Sequence, residues 1–181
     1  MAVQVLPLIS PLRIAEEAAT VDQISEGRFE FGVGRSGNAR AYEIMGIPYE
    51  ESRERFQEAL DIILEAWKGE PFSYEGKFNH IENATVSPSP YQKPHPVVRL
   101  ASSGEDSFAR VGRLGYPIFL SMRGMDVHDL QANLKEYHKA WKEAGHPGEG
   151  DISVRIPMYI GLSEEAATQE PKETIEAYFS R

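Results

Sequence analysis

Two short stretches of the chain hold residues whose types and spacing could do chemistry. Gly32-Val33-Gly34-Arg35-Ser36-Gly37 has the spacing G-x-G-x-x-G and follows a run that alternates like a strand. That spacing suits a turn whose backbone approaches a dinucleotide pyrophosphate, provided that it opens one continuous helix. Here Gly46 and Pro48 break the following segment early, so a second reading stands beside the first: a glycine-rich strand end where backbone passes close to another part of the fold. Arg35 lies just past that strand end, on the side where α/β proteins bind ligands. Its planar donors match two phosphate oxygens at once; the alternative is an ion pair with Glu50 or Glu51. The second stretch is Ser102-Ser103-Gly104-Glu105-Asp106-Ser107, again between a strand and a helix. Unpaired N–H groups and hydroxyls at a helix start attract anions. The alternative is that Ser103 or Asp106 simply caps the helix. Glu105 and Asp106 suit the helix dipole but would repel a phosphate if turned inward.

The remaining candidates point to structure. His80, His95, His128, His138 and His146 form no H-x-x-x-H or other tight ligand pair, so no metal site is expected. No Ser/His/Asp arrangement stands out. The sequon Asn83-Ala84-Thr85 has no other sign of secretion beside it. Glu30 faces opposite Phe29 and Phe31 along its strand, toward a barrel interior, and reads as half of a structural ion pair. The chain has no cysteine, which removes disulfides, thiolate metal sites and a cysteine nucleophile. A net charge of −9 argues against nucleic acid as a partner. No run approaches the roughly 18 apolar residues of a membrane span. The apolar start lacks a basic head and carries Pro7 and Pro11, unlike a secretory leader, so a cytoplasmic protein is expected.

The elements that must position these residues follow from periodicity. Val3 to Leu6 reads as a strand. Ser10-Pro11 reads as a helix start with Ser10 as N-cap and Pro11 first inside, and the helix carries Ile14, Ala15, Ala18 and Val21 at helical spacing to a cap at Gly27. Phe29 to Val33 alternates as a strand. A short helix is expected over Asn38 to Met45. Ser52 to Trp67 carries one continuous apolar stripe of Phe56, Ala59, Leu60, Ile63, Leu64 and Trp67. Residues 71 to 96 read as an excursion with a hairpin turning at Glu75-Gly76. Then follow a strand at Val97 to Ala101, a helix from Glu105 to Leu114 stopped by Gly115, and a strand at Ile118 to Ser121. A helix over Val127 to Ala144 follows, with Leu130, Leu134, Tyr137, His138 and Trp141 on one side. A strand over Ser153 to Ile160, interrupted or ended near Pro157, and a tail that is helical after Pro171 complete the order. Strands alternating with long helices predict parallel β-structure and an α/β fold. With 181 residues and 41 % hydrophobic content, the chain can bury a real core.

Taken together, several blocks resemble the bacterial luciferase-like monooxygenase family. They are Val5 to Arg13, Ala15-Glu16-Glu17, and Asp22-Gln23-Ile24-Ser25-Glu26-Gly27-Arg28-Phe29-Glu30-Phe31-Gly32-Val33-Gly34-Arg35. Arg53 to Leu60, Phe72 to Gly76, Pro94-His95-Pro96 and Leu100 to Ser103 follow in the family's order. The resemblance implies a (β/α)8 barrel of the TIM type, here incomplete: about five parallel strands, corresponding to the third through seventh, in a single partial domain over residues 1–181. It implies reduced FMN as cofactor, with the deazaflavin F420 as the alternative. Arg35 and the Gly37 amide would hold the cofactor phosphate, and Ser103, Gly104 and Ser107 would complete the cradle. A non-proline cis peptide is expected near Ala2-Val3. The implied activity is monooxygenation of a small organic substrate with O2. F420-dependent hydride transfer and a non-catalytic flavin-binding remnant are the alternatives. A flavin reductase partner and a homo-oligomeric parent protein also follow from the resemblance. The family's catalytic histidine falls outside the matching blocks, so no catalytic residue carries over.

Overall fold

The computed structural model describes residues 3–102, 104–122 and 125–180. The expected cis peptide at Ala2-Val3 lies outside the described residues, because Ala2 is not among them. The chain divides into two compact units, Met1–Ala101 and Ser102–Arg181.

The first unit begins with β1 (Gln4–Val5), a 3-10 turn at Leu6–Leu8 and helix α1 (Pro11–Ile24). Pro11 is the first helical residue, as expected. Ser10 stands before it, but its side chain makes no capping bond. The helix closes at Ser25, earlier than the expected Gly27, and the Gly27 N–H then bonds the Asp22 carbonyl at 3.1 Å. Next come β2 (Glu30–Gly34), α2 (Ala39–Ile44), a 3-10 turn at Tyr49–Glu51 and α3 (Ser52–Ala66). The hairpin strands β3 (Phe72–Glu75) and β4 (His80–Ala84) form their own antiparallel pair. Strand β5 (Val97–Ser102) follows.

Strands β1, β2 and β5 are parallel, with β2 in the middle. Their side chains alternate as the sequence predicts. Phe29, Phe31, Val33, Val98 and Leu100 are buried, while Glu30 shares the opposite face with Arg99, whose Nε donates to its carboxylate. The helix stripe is real but broader than expected. Phe56, Ala59, Leu60, Ile63 and Trp67 are buried, and so is Ile62. Trp67 packs edge-on to Phe31 and donates from its indole nitrogen to the Ala15 carbonyl at 3.0 Å. It thereby ties α3 to α1 and satisfies its only polar atom.

Two buried carboxylates hold the irregular chain of this unit. Glu58 accepts backbone N–H bonds from Lys77, Phe78 and Asn79 and a side-chain bond from Asn79. The hairpin turn therefore spans Gly76 to Asn79, beyond the expected Glu75-Gly76, because the turn wraps an anion. Asp22 accepts from the backbone and side chain of Gln92 and so pins the long return toward β5.

The second unit contains α4 (Glu105–Leu114), β6 (Ile118–Ser121), α5 (Val127–Glu143), β7 (Ile152–Arg155), α6 (Glu164–Gln169) and α7 (Lys172–Phe179). β6 and β7 are parallel. Helices α4 and α5 touch backbone to backbone at Gly112, where a Cβ would stand 2.3 Å from the Tyr137 carbonyl oxygen. Tyr137, Ala140 and Trp141 are buried on α5, together with Asn133. Leu130, Leu134 and His138 are only half-buried, so the inner stripe is rotated by about one residue from the predicted one. β7 ends at Arg155, close to the break expected near Pro157. Pro157 has no N–H for a ladder, and Ile156, Met158, Ile160 and Leu162 are exposed. α6 forms before Pro171, nucleated by Ser163, whose side chain accepts from the Ala166 N–H.

Candidate functional site

The G-x-G-x-x-G stretch takes the second of its two readings. It does not open a long helix; α2 is six residues and begins only at Ala39. Instead Gly34 lets three strands meet, since a Cβ there would stand 2.8 Å from Val3 Cγ1 and 3.1 Å from Ala101 Cβ. The end of β2 is thus drawn level with β1 and β5, and the chain turns sharply at Arg35.

That turn is fixed at several points. The Tyr42 hydroxyl donates to the Arg35 carbonyl. Ser36 takes a left-handed φ of 67°, which is uncommon for a side chain other than glycine or asparagine. Its hydroxyl accepts from the Asn38 N–H at 3.1 Å, and the Asn38 side chain caps α2 through the Arg40 N–H. Gly37 is exposed, open space surrounds its Cα, and its N–H has no partner among the described residues.

The Arg35 side chain is half-buried. Its Nη1 donates to the Ser52 hydroxyl at 2.9 Å, and its guanidinium lies 5.3 Å from the centre of the Tyr49 ring. Tyr49 packs edge-on against Tyr42. Burial pushes the Tyr42 phenol above its usual pKa, and the Arg35 charge partly opposes that rise. Among the described residues no carboxylate pairs with Arg35. The expected alternative, an ion pair with Glu50 or Glu51, is not formed, because the Glu51 carboxylate is bound by Arg55 at 2.8 Å. Among the described residues Arg35 thus faces a hydroxyl and an aromatic ring.

The second stretch opens α4 with Gly104 at the N-cap position and no side-chain capping bond. Asp106 lies within the helix rather than at that position, and Ser103 lies outside the described residues. Gly104 is exposed, with open space where a Cβ would stand. Ser107 is turned inward on its own loop: its N–H bonds the Gly104 carbonyl at 2.9 Å and its hydroxyl donates to the same oxygen. With that one hydrogen engaged, the contact between the Ser102 and Ser107 hydroxyls must have Ser102 as donor.

The histidines serve structure. His138 Nδ1 lies 2.7 Å from the Glu149 carbonyl and His146 Nε2 2.8 Å from that of Arg113; a carbonyl only accepts, so both ring nitrogens carry hydrogen. His80 sits between Glu82 and Glu75 on the hairpin surface, and its pKa is raised first by the bond to Glu82 and then by the charge of Glu75. Asp126, His128 and Asp129 cluster at the exposed start of α5, where Asp126 caps the helix through the Asp129 N–H. The residues that sequence patterning did not single out are Tyr42 and Ser52. Each reads locally as an ordinary helix residue; only the fold brings them to Arg35.

Comparison with known proteins places this geometry. The profile of the family described as luciferase-like monooxygenase matches residues 1–180. The chain is 26% identical over 165 residues to the oxygenase component of a flavin-dependent trigonelline monooxygenase from Acinetobacter baylyi, which covers 90% of this chain and 46% of that protein. It is 31% identical over 163 residues to an F420-dependent glucose-6-phosphate dehydrogenase from Kineococcus radiotolerans, covering 87% and 47%. Among solved structures, monooxygenase RslO1 from Streptomyces bottropensis superposes with a TM-score of 0.85 at 28% identity, over 97% of this chain and 53% of that one. The chain spans less than half the length of the first curated relatives that it matches. Its parallel strands and helices are an incomplete barrel of the TIM type.

Proposed function

The chain belongs to the luciferase-like monooxygenase family, and from that premise we propose that it carries the cofactor-phosphate site of a flavin-dependent monooxygenase acting on a small organic substrate. The observation that carries this reading is Arg35: a guanidinium at the C-terminal end of a central parallel strand, held by neutral groups and neutralised by no acid among the described residues. A phosphate at such a position gains charge-assisted, two-pronged hydrogen bonds. Gly37 offers its open N–H beside it. Ser103, Gly104 and Ser107 are assigned a part in phosphate binding, Gly104 through the start of α4 and Ser107 through its hydroxyl once this rotates off the Gly104 carbonyl.

Reduced FMN, when bound, supplies the two electrons with which O2 gives one oxygen atom to the substrate and the other to water. This chain's residues anchor the phosphate end and so set where the ring system lies. Residues 1–181 act in this reading as one partial barrel domain with the hairpin excursion at 71–96. A flavin reductase supplies the reduced cofactor, as the two-component character of the trigonelline relative suggests. The parent protein is homo-oligomeric and cytoplasmic; no helix among the described residues is long and apolar enough to cross a membrane.

The F420-dependent relative favours a second reading, in which the same cradle holds the deazaflavin for hydride transfer without oxygen chemistry. Titrating the chain with FMN and with F420, followed by cofactor fluorescence, separates the two. Saturable FMN binding that Arg35→Ala weakens about 10-fold or more supports the monooxygenase reading, and binding of F420 alone replaces it with the second. Binding of neither overturns the phosphate site. FMN binding without substrate turnover in the presence of a reductase would assign the chain to the non-catalytic alternative.

A further inference from the structure

We propose that Tyr42 and Ser52 are positioning residues that hold Arg35 at both ends for the cofactor phosphate, an inference that rests on the reading of Arg35 as a phosphate ligand. Tyr42 takes the main-chain carbonyl of Arg35, and Ser52 takes Nη1 of the same residue's guanidinium. Both are fully buried: Tyr42 is 0% exposed and Ser52 1%. One grip thus fixes the main chain of Arg35 and the other its side chain. The Tyr49 ring limits the guanidinium on a third side.

The chemistry of the grip matters as much as its geometry. Two acids stand next to Ser52 in sequence, Glu50 and Glu51, in a chain of net charge −9. Yet the partner facing Arg35 is a neutral hydroxyl, and Glu51 is engaged by Arg55. A carboxylate in place of Ser52 would hold the arginine equally well but cancel the charge that an anion needs. A hydroxyl fixes direction and leaves the charge intact. A guanidinium fixed beforehand loses less rotamer freedom when the phosphate arrives, so its affinity rises without any added contact.

The test compares FMN with riboflavin, which lacks the phosphate, on the full 181-residue chain, with affinities from flavin fluorescence and folding checked by thermal melting. The native chain prefers FMN by about 10-fold or more. Arg35→Ala abolishes that preference. Ser52→Ala and Tyr42→Phe each lower FMN affinity about 3- to 10-fold while riboflavin affinity stays constant, and Ser52→Thr, which keeps the hydroxyl, restores it. In an Arg35→Ala background neither substitution has further effect, because both act through the arginine. Should Ser52→Ala fail to fold, Tyr42→Phe carries the same comparison with one oxygen removed. Equal losses for FMN and riboflavin, or no loss for FMN, would overturn the positioning role while the effect of Arg35→Ala leaves the phosphate site standing. A native chain with no preference for FMN, or an Arg35→Ala variant that keeps it, would overturn the phosphate site and the positioning role together.

Discussion

Carboxylates anchor much of the irregular chain in the first unit, whereas ring N–H and O–H donors anchor that of the second. In Met1–Ala101, buried polar side chains reach across long sequence distances, Glu58 to the hairpin turn, Asp22 to Gln92 and Ser52 to Arg35, while Tyr42 holds Arg35 from nearby. In Ser102–Arg181 the Ser107 hydroxyl holds the Gly104 carbonyl, ring donors of Tyr137, His138, Trp141 and His146 reach the carbonyls of Tyr116, Glu149, Pro147 and Arg113, and the helices meet closely at Gly112 beside a core of Phe108, Ile118, Leu120, Tyr137 and Trp141. An arginine side chain is long and must be held by a framework to point in one direction. Amides at a helix start are aimed by the helix itself and need no such support. The end of β2 accordingly draws Tyr42, Tyr49 and Ser52 to Arg35.

Substitutions can break that contrast, and the largest effect is expected at Glu58. Glu58→Ala leaves three N–H groups of the hairpin turn without their acceptor and should cost about 3 kcal/mol or more in chemical unfolding, with proteolytic cutting appearing within residues 76–79. Unchanged stability would show that the turn stands alone. Gly112→Ala attacks the second unit by overpacking; the helices must part by more than the flexibility of side chains allows, at about 2–3 kcal/mol. If the first unit's melting is unaffected by that substitution, the two units differ in the way described. Ser107→Ala should cost less, about 1 kcal/mol, since it removes one local bond rather than a long-range one.

The smallest effect is a pH dependence. His80 has its pKa raised in the fold by Glu82 and Glu75. Its contribution to stability is therefore complete below the unfolded value of 6.5 and is lost as pH rises through the higher folded value. Because the ring is exposed, the change is slight and screened by salt. His80→Gln should flatten the stability profile above neutrality relative to the native chain. A profile unchanged by this substitution would remove His80 from the account.

What the sequence made legible was whatever depends on local period. The alternation of Phe29, Phe31 and Val33, the helix from Glu105 to Leu114 and the placement of Glu30 on the face opposite Phe29 and Phe31 all follow from spacing alone. Arg35 stood out because its type and its place after a strand needed no tertiary information. The residues that grip it did not, for Ser52 lies 17 positions away and looks like a helix start. Glu58 has the form of a solvated helix residue; only the hairpin folding over it makes it a buried anchor. The end of β7 before Pro157 was legible as well, since proline has no N–H to give the ladder. The inner face of α5 took in Asn133 in preference to Leu130, since packing against the Gly112 contact fixes the helix rotation more firmly than hydrophobicity does.

Gly34 has a consequence beyond making room. Because no atom projects from it toward Val3 or Ala101, the three neighbouring strands can finish at one height, and the segments leaving them start from a common plane. A methyl group at that position would act as a wedge: the short β1, with only two paired residues, would tilt first, and the segment it feeds would be carried off that plane. Tolerance of mutation at residue 34 is thus set by the weakest of three strands rather than by the glycine's own surroundings.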